Sequence, residues 1–125
     1  MLLYCLDRGE NMKLFDNHSH LNDEKFDKDR EEIIQKIINN GITNLITAGY
    51  SLDGSKKAID IANKYDFMYA TVGISPNDIP QNEEELWNML VEIKDLITNN
   101  KKKVVAVGEI GLDYYWNTDN KELQK

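Results

Sequence analysis

From Lys13 onward the chain alternates strand-like and helix-like segments joined by short links, the pattern of repeated β-α-β units. Leu14 to His20 reads as a first strand. Asp27 to Asn40 reads as a helix, with Ile33, Ile34, Ile37 and Ile38 in one apolar stripe and Gly41 at the position just past its end. Ile42 to Ala48 is a second strand. A helix from about Asp53 to Tyr65 carries Ala58, Ile59, Ala62 and Tyr65 on one face, and Phe67 to Gly73 follows as a third strand. In the next, longer helix Asn82 serves as cap with Glu85 three residues on, and Leu86, Met89, Leu90, Ile93, Leu96 and Ile97 supply the buried face. Val104 to Val107, a β-branched run expected to be buried, is the fourth strand and ends at Gly108-Glu109. About four parallel strands with three intervening helices fit an open doubly wound sheet or part of a (β/α)8 barrel, and the pattern alone does not separate them.

Both architectures place their working residues at the C-terminal ends of the strands. His18 and His20, then Ser75 and Asn77, then Glu109 and Asp113 fall there. The two histidines of the whole chain are gathered in His18-Ser19-His20, and in a strand that spacing puts both imidazoles on one face. With Asp16 on the same parity they make the beginning of a divalent-metal site, since imidazole suits zinc, iron, nickel and copper and carboxylate suits manganese and magnesium. An incidental surface pair is the alternative. For Glu109 the alternative is a plain strand-end acid, but Gly108 and Gly111 beside it allow the close backbone approach a ligand loop needs. Asp113 reads equally as a loop-ordering group or as one with no role. The cluster Tyr114, Tyr115, Trp116 is expected to pack its loop rather than stack on a base or sugar.

A length of 125 residues suits one domain, and 41% hydrophobic with 30% charged residues reads as soluble and globular. No segment approaches transmembrane length, so no membrane partner is expected. The formal charge of -7, from 22 acidic against 15 basic residues, argues against a protein that coats nucleic acid by counterion release. It leaves room for a metal-dependent phosphodiesterase that meets its substrate in a local pocket. The single cysteine, Cys5, forms no internal disulfide and is assigned no role, which suits a reducing cytoplasm.

Residues 1–11 lack helical or strand period and are too short and wrongly flanked for a signal peptide. Arg8-Gly9-Glu10-Asn11-Met12 can be back-translated as AGA-GGA-GAA-AAT-ATG, a purine-rich ribosome-binding sequence before a methionine codon. Met12 is therefore expected to be the start, with 1–11 a non-native extension and 12–125 the domain.

The residues from Met12 onward resemble the TatD-type metal-dependent hydrolases and deoxyribonucleases of the amidohydrolase-like barrels. That family opens with Asp-x-His-x-His-Leu, matched by Asp16-Asn17-His18-Ser19-His20-Leu21, and ends its fourth strand in Gly-Glu-Ile-Gly-Leu-Asp-Tyr, matched by Gly108 to Tyr114. The resemblance implies the first half of a TIM-type (β/α)8 barrel. It implies that His18, His20 and Glu109 ligate a centre of two divalent ions, zinc, manganese, magnesium or iron, that activates water against DNA phosphodiesters, with Glu109 the catalytic carboxylate. One departure is Gly73-Ile74-Ser75-Pro76-Asn77, where the family often has Gly-Ile-His-Pro-His. Ser75 and Asn77 can still contact a phosphate but bring neither charge nor imidazole chemistry.

A full barrel takes ~250 residues, and the resemblance implies that two further histidines and a late aspartate come from its second half. The end at Glu122-Leu123-Gln124-Lys125, with no closing element, reads as part of a longer protein. The half barrel alone is expected to be inactive and to self-associate through exposed edges. Two other functions fit the same residues: a metallohydrolase acting on an ester or amide, and a non-catalytic α/β module that binds at the strand ends and is indifferent to chelator.

Overall fold

The computed structural model describes residues 2–5, 13–116 and 119–125. Its elements are β1 (Leu2–Cys5), β2 (Lys13–Ser19), a 3-10 turn (Glu24–Phe26), α1 (Arg30–Asn39), β3 (Ile42–Ala48), α2 (Leu52–Ala62), β4 (Met68–Val72), α3 (Glu83–Asn99) and β5 (Val104–Val107). All five strands form one sheet in the order β1-β2-β3-β4-β5, with β2 to β5 parallel and β1 antiparallel to β2. The four parallel strands and three helices are those read from the periodicity. Their sequential order decides the architecture: a doubly wound sheet reverses direction at a switch point, whereas strands that follow one another in a single direction wind a barrel.

The helix starts follow from their caps. Asn82 Oδ1 accepts the backbone N–H groups of Glu84 and Glu85, so α3 begins where the Asn82 signal places it. For α1 the sequence placed the start at Asp27, and the helix begins at Arg30. Asp23 caps the 3-10 turn instead, and the Asp27 carboxylate is taken by Lys57 and Arg30 side chains. Gly41, at φ 86°, ends α1 in the left-handed region that glycine enters without penalty.

The core lies between the sheet and the helices. Met68, Ala70 and Val72 alternate along β4 and are fully buried, packed with Leu45, Ile34 and Ala58, while Tyr69 and Thr71 on the other face are half-buried. Three burial expectations are corrected. Ile38 and Leu90 are exposed at the margins of their helices, and in α3 Ile93 is buried while Leu86, Met89, Leu96 and Ile97 are only partly covered. β5 lies at the sheet edge, and Val105 and Val107 are 50% and 54% exposed, because among the described residues no strand pairs beyond it. The segment before Asn11, expected to lack strand structure, contributes β1. Leu2 to Cys5 is a short apolar run that meets the otherwise unpaired edge of β2. The join at Arg8 to Met12, with the proposed start, lies outside the described residues. Among those described, no helix is long and apolar enough to cross a membrane.

Candidate metal centre

His18 sits near the end of β2 and His20 just past it, two residues apart and so on one side of the strand. Their rings meet edge to face with centroids 4.9 Å apart, and the two Nε2 atoms are 3.2 Å apart. Glu109 arrives from the far side of the sheet, two residues past the end of β5, and its Oε1 lies 3.0 Å from His18 Nε2 and 3.5 Å from His20 Nε2. In a flat sheet three strand spacings of about 4.8 Å would separate β2 from β5. The side-chain contact across that span comes from the curl of the sheet.

Backbone contacts hold Glu109 and His20. The Glu109 N–H donates to Gly49 O at 2.6 Å, and the Gly108 N–H donates to Val72 O at 2.8 Å. A Cβ on Gly73 would stand 2.6 Å from Glu109 O, so only glycine lets the end of β4 lie against the Glu109 backbone. The close approach expected at Gly108 is thus made at Gly73, since a Cβ on Gly108 would meet nothing nearer than 3.7 Å. His20 Nδ1 lies 3.0 Å from Ala48 O, and a carbonyl can only accept, so Nδ1 donates there and the ring turns Nε2 inward. The Tyr50 ring stands edge-on to His20 with centroids 5.5 Å apart.

His18 Nε2, His20 Nε2 and Glu109 Oε1 thus converge, each an atom able to ligate a metal, and this set fits a divalent cation. With bonds of about 2.0–2.2 Å, donors around one tetrahedral ion lie roughly 3.3–3.6 Å apart, against 3.0, 3.2 and 3.5 Å here. The three side chains keep 31–48% of their surface open, which leaves the position accessible.

The other candidate residues serve the surrounding loops. Asp16 Oδ1 accepts the His18 backbone N–H at 3.2 Å and is not among the three converging donors. Ser75 is 9% exposed; its hydroxyl donates to Asp78 and its backbone N–H to Tyr50 O at 2.7 Å. The hydroxyl of Ser75, expected to contact a phosphate, is engaged within its own loop. Asn77 bonds to Asp113, whose Oδ1 accepts the backbone N–H groups of Trp116 at 3.0 Å and Tyr115 at 2.9 Å. The amides of Trp116 and Tyr115, and then Asn77, hold the Asp113 carboxyl below the usual carboxylate range. Gln124 clamps the same loop: its Oε1 accepts the Asp113 N–H at 2.7 Å and its Nε2 donates to Asp113 O at 3.0 Å. Asp113 is thus a loop-ordering group. The packing expected of Tyr115 and Trp116 is corrected, since each is 79% exposed and their closest ring contact is with each other, at 4.7 Å. Tyr50 and Gln124 were not singled out from the sequence, because their contacts cross long stretches of chain and leave no local periodicity.

A model of the TatD related DNase family matches residues 15–125. The chain belongs to this family. Among its TatD relatives, the uncharacterized metal-dependent hydrolase YabD of Bacillus subtilis (strain 168) is 40% identical over 114 residues, covering 90% of this chain and 42% of its own. The 3'-5' ssDNA/RNA exonuclease TatD of Salmonella typhimurium (strain LT2) is 28% identical over 112 residues, covering 90% of this chain and 41% of its own. The crystal structure of a TatD family hydrolase from Entamoeba histolytica superposes with a TM-score of 0.74 at 31% identity, over 88% of this chain and 41% of that one. The chain spans about two-fifths of the length of these proteins, and its four parallel strands and three helices are part of a TIM-type barrel.

Proposed function

We propose that this chain supplies His18, His20 and Glu109 to the centre of a metal-dependent phosphodiesterase of the TatD family that acts on DNA. The observation that carries the reading is the convergence of three potential ligand atoms, one of them a carboxylate oxygen, within 4.8 Å of one another. When bound there, a divalent cation supplies Lewis-acid activation of water and of a phosphoryl oxygen. The residues do the rest. The Ala48 carbonyl accepts from His20 Nδ1, which orients the ring so that Nε2 is the atom offered to a metal. Glu109 offers two carboxylate oxygens, which allows it to serve two cations, and its negative charge offsets part of theirs. The nucleic-acid substrate is suggested by the Salmonella typhimurium relative, named as an exonuclease of single-stranded DNA and RNA. The remaining ligands come from strands beyond these four, so this chain alone binds metal without turning over DNA and associates with itself through its open edges.

Isothermal titration with Zn2+ and Mn2+ tests the centre. Glu109→Gln keeps the shape and removes the charge, and is expected to weaken binding by more than the roughly 10–100-fold typical of an outer-shell change. No metal binding by the unaltered chain, or equal binding by the variant, overturns the proposal. Presenting the intact enzyme with single-stranded DNA, a carboxylic ester and an amide tests the substrate, and preferential hydrolysis of the ester or amide refutes it.

A further inference from the structure

Asn22 lies two residues past His20 and is only 2% exposed. Its amide is engaged at both ends. Nδ2 donates to Gly54 O at 3.0 Å, in the first turn of α2, and Oδ1 accepts from the Thr47 hydroxyl at 3.1 Å. Thr47 is itself fully buried in β3, so these bonds form away from water, where leaving either partner unsatisfied is costly.

The two partners flank the β3–α2 connection. The end of β3 carries the Ala48 carbonyl that accepts from His20 Nδ1, and the connection carries the Gly49 carbonyl that accepts the Glu109 N–H and the Tyr50 ring beside His20. On its other side, the stretch around Asn22 is held by Arg30, whose guanidinium donates to Leu21 O at 2.6 Å and to Asp23 O at 3.0 Å. Asn22 therefore joins the histidine segment to both ends of the connection that orients His20 and Glu109.

We propose that Asn22, with Thr47, is a positioning residue for the metal-binding histidine pair: it fixes where the segment after β2 sits against β3, and so sets His20 Nε2 relative to Glu109 Oε1. The inference rests on the metal-centre reading above and adds to it residues that touch neither metal nor substrate.

Co2+ titration followed by visible absorption, with thermal unfolding alongside, tests it on the full chain. Asn22→Asp keeps the size and puts an oxygen against the Gly54 carbonyl. Thr47→Val keeps the shape and removes the hydroxyl donor. Each is expected to raise the Co2+ Kd roughly 10–100-fold, the effect usual for groups that orient ligands, and to alter the ligand-field bands. Thr47→Ser restores the donor and is expected to retain the original affinity and spectrum. Ile34→Val, a core change that removes none of these hydrogen bonds, controls for lost stability and is expected to leave the Co2+ Kd unchanged. If Asn22→Asp does not fold, the Thr47→Val and Thr47→Ser pair decides. Unaltered Kd and bands in Thr47→Val overturn the inference while leaving the metal centre standing, and an equal loss of affinity in Ile34→Val overturns it as a mere stability effect. Absence of Co2+ binding by the unaltered chain removes the metal-centre reading and this inference with it.

Discussion

Asp113 takes a position that the sequence left between a role and none, and the reason it orders its loop is electrostatic. The N–H groups of Trp116 and Tyr115, and then Asn77, favour its ionised form and hold its pKa down. A carboxyl with a lowered folded-state pKa adds stability that is complete above its unfolded pKa and is lost as pH falls through the folded value. Order in the 113–116 loop should accordingly persist at neutral pH and fade below about pH 4, the unperturbed carboxylate range. Trp116 fluorescence in a Trp87→Phe background reads this directly, since Trp87 and Trp116 are the only tryptophans. Asp113→Asn should abolish the acid transition, and a transition that survives the substitution would assign it to another group.

Among the elements, the legible features were local. The apolar stripes, the Asn82 cap and Gly41 specify α1 and α3 because each acts within one or two turns of chain. Gly41 at φ 86° makes the point quantitatively: Gly41→Ala forces a Cβ into the left-handed region and should cost about 1–2 kcal/mol in chemical denaturation. A neutral result would mean that the loop relaxes to another conformation. The start of α1 was misplaced by three residues because Asp27, a good cap in isolation, is engaged by Lys57 from the neighbouring helix. The β5 run Val104 to Val107 has the β-branched composition of a covered strand, yet burial depends on which neighbours arrive, and the composition of one strand carries no information on that.

At the scale of the whole molecule the sheet has an open side. Val105, Val107, Ile110 and Leu112 are each at least half exposed along β5 and the loop after it, and β5 offers unpaired backbone groups at the sheet edge among the described residues. The chain is therefore expected to self-associate as its concentration rises, despite its charge of -7. Sedimentation velocity over a concentration series measures this, and Val105→Lys with Val107→Lys, placing charge on the edge, should return a monomer. A chain that stays monomeric at all concentrations would refute the expectation. This open side accords with the 41–42% of its relatives' length that the chain covers.

The sequence by itself determined the four parallel strands, the three helices, their order and the pairing of His18 with His20, because helical and strand periods and that spacing are set by backbone geometry within a few residues, while Glu109 was marked by the family resemblance. The winding in one direction, the antiparallel β1, the curl that brings Glu109 to the histidines, the orientation of the His20 ring and the Asn22–Thr47 tie were decided by the tertiary structure. Each depends on groups distant in the chain meeting in space, where burial and hydrogen-bond satisfaction rather than local periodicity select the arrangement.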